Sequence, residues 1–146
     1  MEFINRRAKF DYFVEEEYEA GIVLTGTEIK SIRNGHCNIK DCYGVVRDGE
    51  VYLLNMHIAS YKEGNIFNHD ETRSRKLLLH KKEIKRISEA INMNGLTLIP
   101  LKGYFKDNHF KILLGVCRGK KNFDKRETIK ERDIKREVKR NLNKFK

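Results

Sequence analysis

Two dipeptides, Asp48-Gly49 and Asp107-Asn108, constrain the fold of this chain most strongly. Each lies between runs rich in β-branched, aromatic and aliphatic residues. A two-residue hairpin loop needs φ > 0 at both central positions, and Asp, Asn and Gly tolerate that best. The flanks therefore predict strands over Tyr43–Arg47 and Glu50–Leu54, and over 96–106 and 109–117. In the last of these, Phe110, Ile112, Leu114 and Val116 fall on one face. Pro100 has no amide hydrogen for a ladder, so it calls for an edge position or a bulge.

The rest of the body fits around these hairpins. Residues 10–17 and 21–24 are strand-like. Thr25-Gly26-Thr27-Glu28 has the spacing of a capping box, and Gly35 is placed to end the helix it opens. Ile29 and Ile32 then face inward, with Lys30 and Arg33 together outside. Ile84, Ile87 and Ile91 repeat at helical spacing over Lys81–Asn94, and Asn94-Gly95 stops that helix. The segment 73–79 fits either a helical turn or a short strand, beside a polar loop over 62–75. Hairpins pair locally, so the sheet should be antiparallel. Five or six strands in some 110 residues are most economically closed into a small barrel. The expected class is mainly β with flanking helices (α+β): an oligonucleotide-binding-like barrel over 1–118 and a basic tail over 119–146.

Charge says what such a barrel could meet. The chain carries 31 basic and 21 acidic residues, a net charge of +10. Residues 119–146 hold 12 of the basic and 5 of the acidic ones, hence +7 of that total. Charge clustered in this way points to a polyanion rather than to a merely solubilising extension. The tail has no proline, and no glycine after Gly119. Glu127 with Lys130, Glu131 with Lys135, and Glu137 with Arg140 are favourable helical pairs, each contributing about 0.2–0.5 kcal/mol. Ile134, Val138 and Leu142 form a narrow stripe. These terms do not hold an isolated helix in water, so the tail should be unfolded when free and helical on its partner. Asn5-Arg6-Arg7, Lys30 with Arg33, and Arg73-Ser74-Arg75-Lys76 are ordinary solvated clusters singly. Together with the tail they suggest an RNA-facing surface on the barrel. The run Glu15-Glu16-Glu17 with Glu19 should turn partly to solvent, although one carboxylate on such a face can accept hydrogen bonds from base amines.

Evidence for an enzyme is missing from the sequence. It shows no glycine-rich phosphate loop and no nucleophile elbow. The five histidines form no metal pattern, and only His57 with His69 offers a nuclease alternative. Cys37, Cys42 and Cys117 read as reduced thiols without a zinc pattern. No metal and no cofactor is expected. No apolar run approaches the roughly 20 residues of a membrane span, and the charged start is unlike a signal peptide. A cytoplasmic protein is expected, and no stripe suggests a dimer, so a monomer is expected too.

The segments Asn5-Arg6-Arg7-Ala8, Glu15-Glu16-Glu17-Tyr18-Glu19-Ala20-Gly21-Ile22 and Gly26-Thr27-Glu28-Ile29-Lys30-Ser31 resemble the SsrA-binding protein family, also called small protein B. So do Asn34-Gly35, Asp48-Gly49-Glu50, Asn68-His69-Asp70, Arg75-Lys76-Leu77-Leu78-Leu79-His80, Gly119-Lys120-Lys121 and Asp124-Lys125-Arg126. Order and spacing over some 140 residues make the resemblance specific. It implies an adaptor that binds transfer-messenger RNA and delivers it to stalled bacterial ribosomes for trans-translation. Asn5, Glu19 and Leu78 match positions associated with the tRNA-like domain of that RNA. Arg6, Lys30, Arg33, Arg75 and Lys76 join them on electrostatic grounds. Gly119, Lys120, Lys121, Asp124, Lys125 and Arg126 match the segment that enters the mRNA channel near the decoding centre of the small subunit. Phe123 stands where some members have histidine and keeps a ring able to stack on an rRNA base. Lys130 and Arg132 extend the tail's cationic surface, and Glu71 stands where many members have proline. The alternative is a module that binds structured RNA without specificity.

Overall fold

The computed structural model describes residues 1–61 and 68–144. The chain runs β1 (Glu2–Ile4), α1 (Ala8–Asp11), β2 (Tyr12–Ile22), α2 (Gly26–Arg33), β3 (Cys37–Asn38), β4 (Tyr43–Arg47) and β5 (Glu50–Leu54). It continues through β6 (His57–Ile58), β7 (Arg75–Leu78), α3 (Lys81–Asn94), β8 (Thr97–Lys106), β9 (His109–Gly119) and α4 (Asn122–Lys144).

Both hairpins form as their turn residues require. Asp48 and Gly49 take φ of 52° and 74°, and Asp107 and Asn108 take 51° and 65°. These are the paired positive values of the tightest hairpin turn. Gly95, at φ 63°, ends α3. Thr25 Oγ1 accepts from Glu28 N at 3.3 Å, and Glu28 Oε1 accepts from Thr25 N at 2.9 Å, which closes the capping box of α2.

The pairings run in a ring, β8–β4–β5–β7–β2–β9 and back to β8, antiparallel throughout. A single pair, Gly44↔Leu98, joins β4 to β8, so the barrel is only just closed. β1 takes the other end of the same β8 edge, with Phe3 opposite Gly103. Pro100 sits at a register shift in β8, where no ladder bond needs its missing hydrogen. Ile112, Leu114 and Val116 are fully buried and Phe110 nearly so, packed with Leu53, Leu77 and Ile87.

One local expectation changes and one alternative is resolved. Residues 10–17 and 21–24 do not make two strands: β2 is continuous through Gly21, and Phe10 and Asp11 belong to α1. Gly21 is there for a close approach, because a Cβ would lie 3.3 Å from that of Leu78. The segment 73–79 resolves to strand β7. Residues 62–67 of the predicted polar loop lie outside the described residues.

The seam of the barrel is tight. A Cβ at Gly44 would lie 2.5 Å from Cδ2 of the buried Leu98. Gly44→Ala is expected to destabilise the fold by about 1–3 kcal/mol, the usual range for an overpacked core. Urea unfolding read by circular dichroism measures it; an unchanged midpoint would mean that the seam is loose.

Beneath α2 lies a buried ionic cluster. Glu28 and Arg75 are both fully buried, and their side chains bond directly. Arg73 donates to the other carboxylate oxygen and to the Val23 carbonyl at 3.2 Å. Arg75 also donates to the carbonyls of Met56, Arg73, Asp70 and Glu71. Burial pushes the Glu28 carboxyl up, but the bonds from Arg73, the Thr25 amide and Arg75 outweigh it and leave it below its ordinary range. The cluster ties α2 to β7 and to the segment before it.

Candidate nucleic-acid interface

The outer face of the barrel is built by strand alternation. Cross-strand neighbours place Leu78, Gly21, Lys111 and Tyr104 in one row over β7, β2, β9 and β8. Leu78 is 53% exposed and stands opposite Gly21 on this face. Glu19 lies two residues before Gly21 on the same face of β2. Its carboxylate accepts from Tyr104 Oη and lies 3.4 Å from Lys106 Nζ. The phenol bond is the main cause that lowers the Glu19 pKa. Burial and that same bond push Tyr104 up to about 12. Glu19 is therefore an ionised acceptor beside a phenol. Lys102 Nζ stands 5.3 Å from the centre of the Tyr104 ring. A carboxylate, an aromatic edge and several ammonium groups on one exposed sheet can meet base edges and phosphates together.

The helix side carries its own cations. Lys30 and Arg33 are exposed on α2, as the helical spacing predicts. Arg33 stacks over Phe105 at 4.5 Å, and Lys30 lies 5.5 Å from the ring of Tyr61. Lys76 is half-exposed, 3.7 Å from Glu50. Arg6 is exposed.

Two expected contact residues are withdrawn from the surface. Arg75 was grouped with Lys76 and Leu78, yet alternate residues of a strand face opposite sides. Lys76 and Leu78 point out; Arg75 and Leu77 point in, and Arg75 is spent on Glu28. Asn5 is only 6% exposed. Its Nδ2 donates to Pro100 O at 3.0 Å and its amide to Leu101 O at 2.9 Å, which pins the chain to the β8 bulge. Lys102, Tyr104, Lys106 and Lys111, which the sequence reading does not name, stand on the same face. The outward Lys-x-Tyr-x-Lys alternation of β8 was the signal for three of them.

The tail is helical, as α4. Its pairwise charges do not hold an isolated helix, but its first turns do not stand alone. Lys120 Nζ donates to Lys9 O at 2.7 Å and to Thr128 Oγ1 at 2.8 Å. Lys125 Nζ lies 3.4 Å from Asp11 Oδ1, and Arg132 sits over the Phe10 ring. Asp124 accepts from the Lys121 amide at 3.2 Å, a favourable place for negative charge. The motif residues are thereby sorted. Lys120, Lys125 and Arg132 face the body, while Phe123, 70% exposed, Arg126 and Lys130 face solvent with Lys121. Gly119 is the last residue of the β9 ladder. The side chains of Val138, Leu142, Glu137 and Arg140 lie outside those described.

Two of the histidines, with Glu71, make contacts within the scaffold. His69 Nε2 donates to Ile58 O at 2.9 Å, which leaves Nδ1 to accept from Thr27 Oγ1 at 2.9 Å. His57 Nε2 contacts Glu71 Oε2 at 3.1 Å, and the other Glu71 oxygen accepts from Ser60 N and Oγ. Three side-chain contacts thus restrain this loop where a proline ring would otherwise do so. Burial pushes the thiols of Cys37 and Cys42 up to about 12, and that of Cys117 to about 11, so all three stay protonated at neutral pH. Among the described residues no cluster of His, Cys, Asp or Glu is arranged to hold a metal. No described helix is long and apolar enough to cross a membrane.

The comparisons cover the barrel and the tail together. An SsrA-binding protein of Staphylococcus aureus (strain JH1) is 58% identical over 138 residues, 94% of this chain and 90% of the relative. One of Ligilactobacillus salivarius (strain UCC118) is 55% identical over 141 residues, 97% and 91% of the two chains. A chain of the solved structure "tmRNA-SmpB: a journey to the center of the bacterial ribosome" superposes with a TM-score of 0.69 at 46% identity, covering 88% of this chain and 94% of that one. The family model described as SmpB protein matches residues 3–144, so the chain belongs to the SmpB family.

Proposed function

We propose that this chain is an RNA-binding adaptor of trans-translation. It binds transfer-messenger RNA and brings it to ribosomes stalled on incomplete messages, so that unfinished peptides are tagged. The observation that carries this reading is the family match, which runs through barrel and tail alike. The names borne by the relatives and the solved tmRNA-SmpB structure support it. On this reading the barrel over 1–118 meets the tRNA-like domain through Glu19, Leu78, Lys30, Arg33, Lys76 and Arg6. Tyr104 and Lys106 join them because they bond to Glu19. The tail over 119–146 enters the empty mRNA channel, with Phe123, Arg126 and Lys130 on its outward face. α4 has 23 residues, so it reaches roughly 35 Å, enough to probe a channel rather than a patch. The protein acts as an adaptor and not as an enzyme, a reading supported by the scaffold roles of His57 and His69. Its place of action is the cytoplasm, with the ribosome.

A binding assay separates this from a non-specific module. The tRNA-like domain of transfer-messenger RNA should bind roughly 10³-fold tighter than duplex DNA at physiological salt, the usual gap between specific and non-specific sites. Glu19→Ala should weaken that binding about ten- to a hundredfold, the scale of one lost base-reading contact. Equal affinity for both nucleic acids, with a steep salt dependence, would instead identify a general RNA binder.

A further inference from the structure

We infer that the groove between α3 and the β4–β5 hairpin is a further RNA subsite, in which Lys81 and Lys85 hold the phosphates of a strand that crosses Leu78. The inference rests on the reading above, in which the barrel binds a structured RNA. It brings in a helix that no part of that reading uses. The segments that carry the family resemblance stop at His80 and resume at Gly119, so α3 lies between them.

The groove follows from how α3 packs. Ile84 and Ile87 are buried and seat the helix on the barrel core. Helical spacing then aligns Lys81, Lys85 and Ser88 along one flank of the groove. Val46 and Glu50 of the hairpin, with Lys76 of β7, form the other flank. Leu79 and Ile84 give it an apolar lining. The cleft between the flanks has a volume of about 600 Å³. Clefts that hold small-molecule-sized groups run from roughly 300 to 1,000 Å³, mostly apolar with a few placed polar groups. Leu78 lines the groove and also stands on the contact face, opposite Gly21. The groove is thus continuous with that face.

Charge selects the occupant. Several cations of the barrel stand beside carboxylates: Lys76 by Glu50, Lys102 by Glu2, Lys106 by Glu19 and Arg118 by Glu15. Among the described residues Lys81 and Lys85 are in no such pair, and both are exposed. The two acids of the groove lie apart from them. Glu50 faces Lys76 at 3.7 Å, and Glu89 sits a helical turn beyond Lys85. Lys81 is the first residue of α3, three positions after Leu78. The cationic end of the groove therefore adjoins the contact face, and Glu89 lies roughly 12 Å further along the helix. An anionic strand entering past Leu78 meets the unpaired ammonium groups first. Phosphate contacts of this kind fix the register of an RNA without reading its sequence.

Filter-binding titrations of the full-length protein with the tRNA-like domain of transfer-messenger RNA, run at several salt concentrations, test this. Lys81→Ala with Lys85→Ala should weaken binding roughly tenfold at physiological salt. The salt dependence should become shallower by about 1.4, the share of two single-strand phosphates. Lys82→Ala with Arg86→Ala removes the same charge from an adjacent, exposed face of α3 that does not line the groove. That variant should bind like the wild type. A photo-cross-linking residue in place of Ser88 should attach to the RNA. Circular dichroism verifies that each variant is folded. Unchanged binding by the first variant, equal losses in both, or a cross-link from Ser88 only to a second copy of the protein overturns the inference. The functional reading is judged separately, by the wild-type preference for this RNA over duplex DNA. If that preference is absent the reading falls, and the contrast between the two double variants, measured on whichever structured RNA the chain binds, still decides the groove.

Discussion

Arg75→Ala should lower the stability of the barrel by about 3–5 kcal/mol, because it leaves Glu28 as a buried carboxylate without its main counter-charge. For a chain of this size the melting temperature should fall by roughly 10–20 °C. Arg73 remains, but it is partly exposed and holds only one of the two carboxylate oxygens. Four backbone carbonyls lose a donor at the same time. The apolar double replacement Glu28→Leu with Arg75→Met should cost much less than Arg75→Ala, since no charge is then left alone. Thermal melting of the three proteins checks this; a single variant that melts like the wild type would show that the charges are hydrated. The pH dependence follows from the lowered Glu28 carboxyl. A group depressed in the folded state contributes stability above its unfolded value, near 4.3. That contribution is lost as pH falls through the lower folded value. Acid should therefore weaken wild type progressively below about pH 4.

Ending the chain after Arg118 should abolish peptide tagging on stalled ribosomes while leaving the affinity for the tRNA-like RNA within about tenfold, as expected when only non-specific phosphate contacts are removed. The cut removes +7 of the +10 net charge. It takes only the final pair, Tyr12↔Gly119, from the β2–β9 ladder, so the barrel keeps its closure. Glu19, Tyr104, Leu78 and Lys111 are untouched. The salt dependence of RNA binding should become shallower by about 0.7 for each single-strand phosphate the tail had contacted. Gel-shift titrations at several salt concentrations, run beside a tagging assay, measure both parts. Normal tagging by the truncated protein would refute the division of labour between barrel and tail.

These two variants lie at opposite ends of what a linear reading reveals. The tail's cationic character was legible because charge density does not depend on folding, and a run of 28 residues keeps it wherever the chain goes. The role of Arg75 was not legible. Its neighbours are basic, and only the sense of the strand decides that it points inward while Lys76 points outward. The burial of Asn5 was not legible for the same reason: a polar residue beside two arginines reads as surface until Pro100 and Leu101, some 95 residues away, come to meet it.

The sequence determined the elements whose causes are local. Both hairpins, the capping box of α2 and the glycine stop of α3 fall where their turn residues put them, since the backbone conformations involved are set within four residues. The barrel class followed from counting those elements. Only the tertiary structure decided which side of each strand faces outward, how the ring closes at Gly44↔Leu98, and where the tail is mounted. Glu28 meets Arg75 across 47 positions, and Lys120 meets Lys9 across 111. Contacts at such separations depend on the path of the whole chain, and no local pattern records them.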